Sequence, residues 1–208
     1  MADVLKLTPR EFARGYKAYQ AREPRDAMYR IATFLVKHHW GRPRDMADGL
    51  GVLLLTWNNA FYRYGSFDFN RLEVAIRRNM AAINGFRKRN ITSLSKVGEP
   101  AIKQLFNEFL EALRVKKKDE EGFKRSPVAV AKALHLLAPS FFPIWDIRIA
   151  IAYGCRYYDQ PAIKYLKFAY YMQALAQNLS QRAPASSGRS FLKLIDEYNY
   201  SKYTQGWV

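Results

Sequence analysis

Apolar residues recur every three or four positions along almost the whole of this 208-residue chain. That spacing gathers them on one side of an α-helix, whereas a half-buried strand would alternate them. The helix signals are specific. Thr8-Pro9-Arg10-Glu11 offers a capping Thr, a Pro at the first helical position and a Glu at the third. Residues 27–40 carry Met28, Ile31, Ala32, Leu35 and Val36 on one face, and Gly41-Arg42-Pro43 ends the run. Residues 46–64, the most apolar stretch, predict a buried central helix. Residues 68–84 predict another through Leu72, Ala75, Ile76, Met80 and Ile83, stopped by Gly85. Residues 100–115 place Ile102, Leu105, Phe106, Phe109, Leu110 and Leu113 together, followed by a polar connection over 116–122.

Ser126-Pro127 starts a helix to about Leu137, broken at Ala138-Pro139. Residues 141–145 are short and extended, since Pro143 restricts helix there. Asp146 then caps a helix through Tyr153 that Gly154 ends. Residues 162–180 form a further helix, 183–188 a polar loop, and 190–200 a last helix before an aromatic tail. With no strand series, internal repeat or heptad array, the expectation is an all-α chain folded as a single domain.

Charge narrows the partner. Lys and Arg number 34 against 18 Asp and Glu, a net charge of +16. Such a field repels itself unless a polyanion relieves it. Nucleic acid is the first candidate, because basic side chains displace the counterions condensed on phosphates. An anionic membrane surface is the second. Aromatic residues make up 15% of the chain, enough to fill a core and still leave rings for a binding surface. The lone Cys155 excludes an internal disulfide framework and fits a reducing compartment, cytosol or nucleus. Met1–Arg10 holds no apolar signal-peptide core, and no apolar run reaches membrane-spanning length. His38 and His39 are adjacent, so they point about 100° apart on a helix and chelate poorly, and His135 is distant; no metal site is expected. No phosphate-cradling glycine loop, dinucleotide fingerprint or nucleophile elbow occurs.

The basic clusters are Arg77-Arg78, Arg87 to Arg89, Lys116 to Lys118 and Lys124-Arg125. Within Gly85-Phe86-Arg87-Lys88-Arg89 a ring stands beside cations just past the expected helix stop, an arrangement suited to insertion between bases. This segment resembles the G-Y-R-A-R segment of eukaryotic-type 8-oxoguanine DNA glycosylases. Thr56-Trp57-Asn58-Asn59-Ala60-Phe61-Tyr62-Arg63 is similar to their S-S-N-N-N-I-A-R. Pro127-Val128-Ala129-Val130-Ala131-Lys132 resembles the P-G-V-G-x-K hairpin of the helix-hairpin-helix glycosylase superfamily. Phe142-Pro143-Ile144-Trp145-Asp146-Ile147-Arg148 is similar to the segment with that superfamily's essential Asp. Residues 194–200 are similar to the closing helix of the short archaeal-type enzymes, which lack an extra N-terminal β-domain. Ala129 and Ala131 depart from the pattern by replacing the hairpin glycines, so this segment also reads as an ordinary helix start.

The resemblance implies two helical halves around a central cleft, and a DNA repair enzyme that flips and excises a damaged base, 8-oxoguanine favoured, from double-stranded DNA. It implies Lys132 as the imine-forming nucleophile and Asp146 as the group that stabilises positive charge on the sugar. Phe86 would act as the wedge and Asn58 would plug the gap. Arg63 and Arg87 would hold the opposite strand, with Lys88, Arg89, Lys124 and Arg125 on DNA. His135 and the tail residue Trp207 are candidates for the base pocket, against plain readings as a core histidine and a docked tail. Asp146 also reads as a simple helix cap and Lys132 as a surface lysine. No cofactor, metal, membrane or protein partner is called for, and a monomer is expected. The alternatives are a non-catalytic DNA-binding protein on the same scaffold and a monofunctional glycosylase for alkylated or mismatched bases. RNA binding ranks last, since the common RNA-module signatures are missing.

Overall fold

The structure, a computed structural model, describes residues 7–63, 65–116, 121–179 and 189–208. It is predominantly helical. In chain order the helices are α1 (Pro9–Arg22), α2 (Ala27–His38), α3 (Pro43–Trp57), α4 (Asn59–Tyr62), α5 (Phe69–Arg87), α6 (Glu99–Ala112), α7 (Pro127–Leu137), α8 (Ile147–Ala152), α9 (Pro161–Leu179) and α10 (Phe191–Asn199). Two 3-10 turns, Ile91–Ser93 and Lys96–Gly98, join α5 to α6, and a π-helical turn, Tyr200–Thr204, follows α10. No helix among the described residues is long and apolar enough to cross a membrane.

Local chemistry accounts for most boundaries. Thr8 and Glu11 form a reciprocal capping box at α1, and Ser126, Asp146 and Ser190 each accept a backbone N–H at the start of α7, α8 and α10. Gly154 closes α8 at φ +64°.

Three expectations are corrected. Gly85 does not stop α5, which continues through Arg87 because Phe86 has a place in the core. The helix expected over 46–64 starts earlier, at Pro43, and breaks at Asn58, whose ψ of 36° leaves the helical region. The polar connection expected over 116–122 begins in a strand instead: β1 (Val115–Lys116) pairs antiparallel with β2 (Phe123–Lys124), while 117–120 lie outside the described residues. There Phe123 is held by the guanidinium of Arg114, 3.9 Å from its ring centre. The loop expected over 183–188 lies outside the described residues.

Trp145, fully buried, sits at the densest aromatic packing, 5.1 Å from the ring of Tyr165, 5.6 Å from Phe168 and 4.9 Å from Tyr157. Its indole N–H donates to the Pro127 carbonyl at 3.2 Å, tying the segment before α8 to the start of α7. Elsewhere close approach requires glycine. A Cβ on Gly15 of α1 would stand 2.3 Å from Tyr198 Cδ2 and 3.2 Å from its Cα. Gly15→Ala gains up to ~1 kcal/mol of helix propensity. The clash with α10 nevertheless governs, and the variant is expected to lose roughly 1–3 kcal/mol of stability. Urea denaturation of the two proteins would show it.

Candidate functional site

Where α3 ends, the peptide carbonyl of Trp57 has no helical partner. It accepts a hydrogen bond from Lys132 Nζ at 2.7 Å, and the same ammonium lies 4.7 Å from the Trp57 ring centre. Lys132 is on α7, whose N-cap Ser126 accepts from Asn58 Nδ2 at 3.0 Å. The break in α3 and the start of α7 are thus bonded together beside the amine. Burial pushes the Lys132 amine down to about 8, against the opposing pull of Asp196 and Asp146.

Lys132 faces a cavity of about 220 Å³. Asp146 opens α8 at its edge, with Asp196 and Lys193 from α10, Asp26 from the start of α2, and the rings of Trp57 and Tyr200 among the other walls. Asp146 is pinned twice: one carboxylate oxygen accepts the Ile149 N–H at 2.8 Å and the other accepts the Thr204 hydroxyl at 2.5 Å. Lys132 and Asp146, fourteen residues apart in the chain, therefore line one cavity.

The second lysine in that cavity lives in a different field. Lys193, 1% exposed, lies 3.2 Å from Asp196, 3.5 Å from Asp26 and 4.0 Å from Glu197. The rings of Tyr19 and Tyr29 stand 4.6 and 4.7 Å from it. Asp26 adopts a left-handed backbone, φ +38°, a conformation Asp tolerates better than most residues, and accepts the Tyr19 hydroxyl at 2.9 Å. Burial raises the Asp196 carboxyl, against Lys193, and pushes Glu197 up to about 7, against Lys193 and Arg189.

The other sequence-derived candidates divide. Arg63, Lys88 and Lys124 are exposed. Arg125 is exposed but grips Glu111 with two bonds of 2.5 and 3.1 Å. Arg89 folds back on Ser93, donating to its carbonyl at 2.6 Å.

Phe86 is only 5% exposed and packs 4.8 Å from Phe141 and 4.9 Å from Phe142, so the expectation of a protruding wedge is corrected. Arg87 is likewise committed inward: it donates to the Leu137 carbonyl at 2.8 Å and covers the Trp40 ring at 3.8 Å. Burial pulls its guanidinium below its ordinary range. His135 does not line the cavity. Fully buried, it bonds the Phe142 carbonyl through Nδ1 at 2.7 Å and meets the Tyr29 hydroxyl through Nε2 at 3.1 Å. A carbonyl only accepts, so Nδ1 carries the proton and Nε2 accepts from Tyr29; burial lowers this imidazole to about 3 and keeps it neutral. Trp207 docks on its own fold, under Arg22 at 4.9 Å and 5.9 Å from Tyr200, and it does not line the cavity.

Sequence reading missed Asp26, Lys193 and Tyr200 as wall residues. A signal existed for three of the cluster: Lys193, Asp196 and Glu197 stand at i, i+3 and i+4 in a largely apolar helical run. Among the described residues no group of three or more His, Cys, Asp or Glu side chains is disposed to hold a metal. No protein-family model matches the chain, and no curated protein or solved structure is significantly similar to it.

Two measurements test this geometry. Phe86→Ala is expected to cost ~3–5 kcal/mol of stability, the penalty of emptying a core site; a solvent-facing wedge would leave the melting transition nearly unmoved. Glu197 gives a pH signature. Its folded-state value of about 7 exceeds its ordinary 4.5, so the native state holds this proton more tightly. That contribution is complete below pH 4.5 and is lost as pH rises through 7. His135 has the opposite sign, because its folded value of about 3 lies below its ordinary 6.5. The wild-type curve is therefore composite. The stability difference between wild type and Glu197→Gln isolates the carboxyl and is expected to shift against the wild type as pH climbs from 4.5 to 7.

Proposed function

We propose that this protein is a DNA glycosylase with lysine-imine lyase activity, acting on a base flipped out of duplex DNA, with 8-oxoguanine the favoured lesion. One observation carries the reading: a partly buried lysine with its amine drawn down to about 8, held at the wall of a cavity it shares with Asp146. An amine that loses its proton near neutrality has the lone pair that nucleophilic catalysis needs. The resemblance over residues 85–89, 56–63, 127–132 and 142–148 supplies the substrate class.

In this reading two helical halves flank a cleft, and the flipped base enters beside Trp57 and Tyr200. The Lys132 lone pair attacks C1′ of the nucleotide, and the bond from C1′ to the base breaks. The base departs with that electron pair and takes up a proton. Opening of the sugar ring at its C1′–O4′ bond then leaves an imine between C1′ and Nζ. Loss of a C2′ proton expels the 3′-phosphate and nicks the strand. Asp146, fixed by Ile149 and Thr204, holds its negative charge at the cavity edge, where positive charge develops on the sugar. Lys193 is not a rival nucleophile, because its ammonium is paired with Asp196 and Asp26.

A second reading, a non-catalytic DNA-binding protein, is favoured by three commitments. Phe86 and Arg87 are used within the fold, and both Asp146 oxygens already hold local bonds.

Sodium borohydride trapping on an 8-oxoguanine duplex, with undamaged and abasic controls, separates the two. A covalent adduct that Lys132→Gln abolishes is the expected result. Trapping should accelerate about tenfold per pH unit below the amine's value and level off above pH 8. Neither trapping nor base release, from protein that still retards duplex DNA, would overturn the enzymatic reading in favour of the binder. Base release without trapping would point to a monofunctional glycosylase.

A further inference from the structure

The outer face of α2 is unlike the exterior of the other helices. Tyr29, Ala32 and Val36 turn inward and are buried. On the opposite side Phe34 is 61% exposed, Ile31 48% and Met28 37%. These residues stand at i, i+3 and i+6, so they form one apolar stripe. The Phe34 ring is already stacked with His38, centroids 5.8 Å apart and planes within 16°. That contact presents a flat aromatic pair to solvent.

A groove of about 500 Å³ runs along α2 beside Phe34, the stripe residue that lines it. Arg25, Arg30, Lys37 and Arg189 line it, with Asp26 the sole carboxylate in its walls among the described residues. Asp26 is already engaged by the Tyr19 hydroxyl and by Lys193, and Arg189 is paired with Glu197 at 3.1 Å, so Arg25, Arg30 and Lys37 supply the groove's positive row. Asp26 also borders the Lys132 cavity, which makes groove and cavity neighbours.

We propose that this groove binds a single-stranded stretch of nucleic acid, whose phosphates follow the Arg25, Arg30 and Lys37 row while a base stacks on Phe34. A positively charged channel beside an exposed ring is the combination that holds single strands without regard to sequence. A duplex fits the same surface poorly, because its bases already stack on one another and Phe34 would find a free face only after unstacking. The inference requires no chemistry at Lys132. It goes beyond the proposed excision reaction by giving the protein a second contact, to the unpaired strand next to an opened site.

The test is fluorescence anisotropy of the full chain with a labelled, undamaged oligothymidylate of about 12 nucleotides, a length within the site sizes usual for such grooves. A duplex of equal length runs alongside. Phe34→Ala removes an exposed ring, so folding is expected to survive, and a thermal melt checks it. The variant should bind the single strand roughly fivefold or more weakly and the duplex as wild type does. Arg30→Ser with Lys37→Ser should lower the salt slope for the single strand by about 1.4, at ~0.7 per phosphate contact. Loss of duplex and single-strand binding in equal measure by Phe34→Ala, or no loss in either, would overturn the proposal. So would a Phe34-dependent association with phosphatidylserine vesicles in the absence of single-strand binding, which would make the face a membrane contact. Because the probe carries no lesion, failure here is separable from failure of the trapping experiment.

Discussion

The buried ammonium of Lys193 is the constraint around which the two ends of the chain are arranged. Removing an ion of this kind from water costs several kcal/mol unless partners and geometry repay it. Here the partners come from α10 itself and from the distant α1–α2 region. Asp26 arrives from the α1–α2 turn in a left-handed conformation, Asp196 and Glu197 stand three and four residues after Lys193 on α10, and two tyrosine rings from α1 and α2 flank the charge. The cluster can form only if α10 lies against α1, and Gly15 permits that approach by leaving room for Tyr198. The cavity wall follows from it, because Lys193, Asp196 and Asp26 are wall residues.

Two lysines face one cavity, and their surroundings give them opposite chemical character. Lys193 is surrounded by carboxylates that need its charge. Lys132 has a carbonyl and an indole, both of which attract a cation without carrying a full negative charge, while the carboxylates of Asp196 and Asp146 act on it from farther away. Desolvation therefore dominates at Lys132. The same residue type is held in a carboxylate cluster in one place and is an amine that sheds its proton near neutrality in the other.

The basic surplus of this chain is spent unevenly. Arg87 closes over Trp40 and the end of α7, Arg125 is neutralised by Glu111, and Arg89 stitches its own loop. Several cations of the segments that first suggest a nucleic-acid surface thus act within the fold. The α2 groove, which no sequence motif marks, retains a basic row next to an exposed ring.

The sequence by itself determined the helices and most of their ends, because caps, prolines and apolar spacing act over one or two turns. Thr8, Ser126, Asp146 and Ser190 each do in the structure what a capping residue does locally. It also singled out Lys132 and Asp146 through short segments whose order along the chain carried the resemblance. Tertiary structure alone decided burial and partnership. Gly85 reads as a helix stop and Phe86 as a wedge until Phe141 and Phe142, more than fifty residues on, supply the ring's packing site. His135 reads as a pocket residue until Tyr29 and the Phe142 carbonyl occupy both its nitrogens. Asp26 and Lys193 become one cluster only when the first and last helices meet. Capping and periodicity are properties of neighbours in the chain, whereas desolvation and ion pairing depend on neighbours in space.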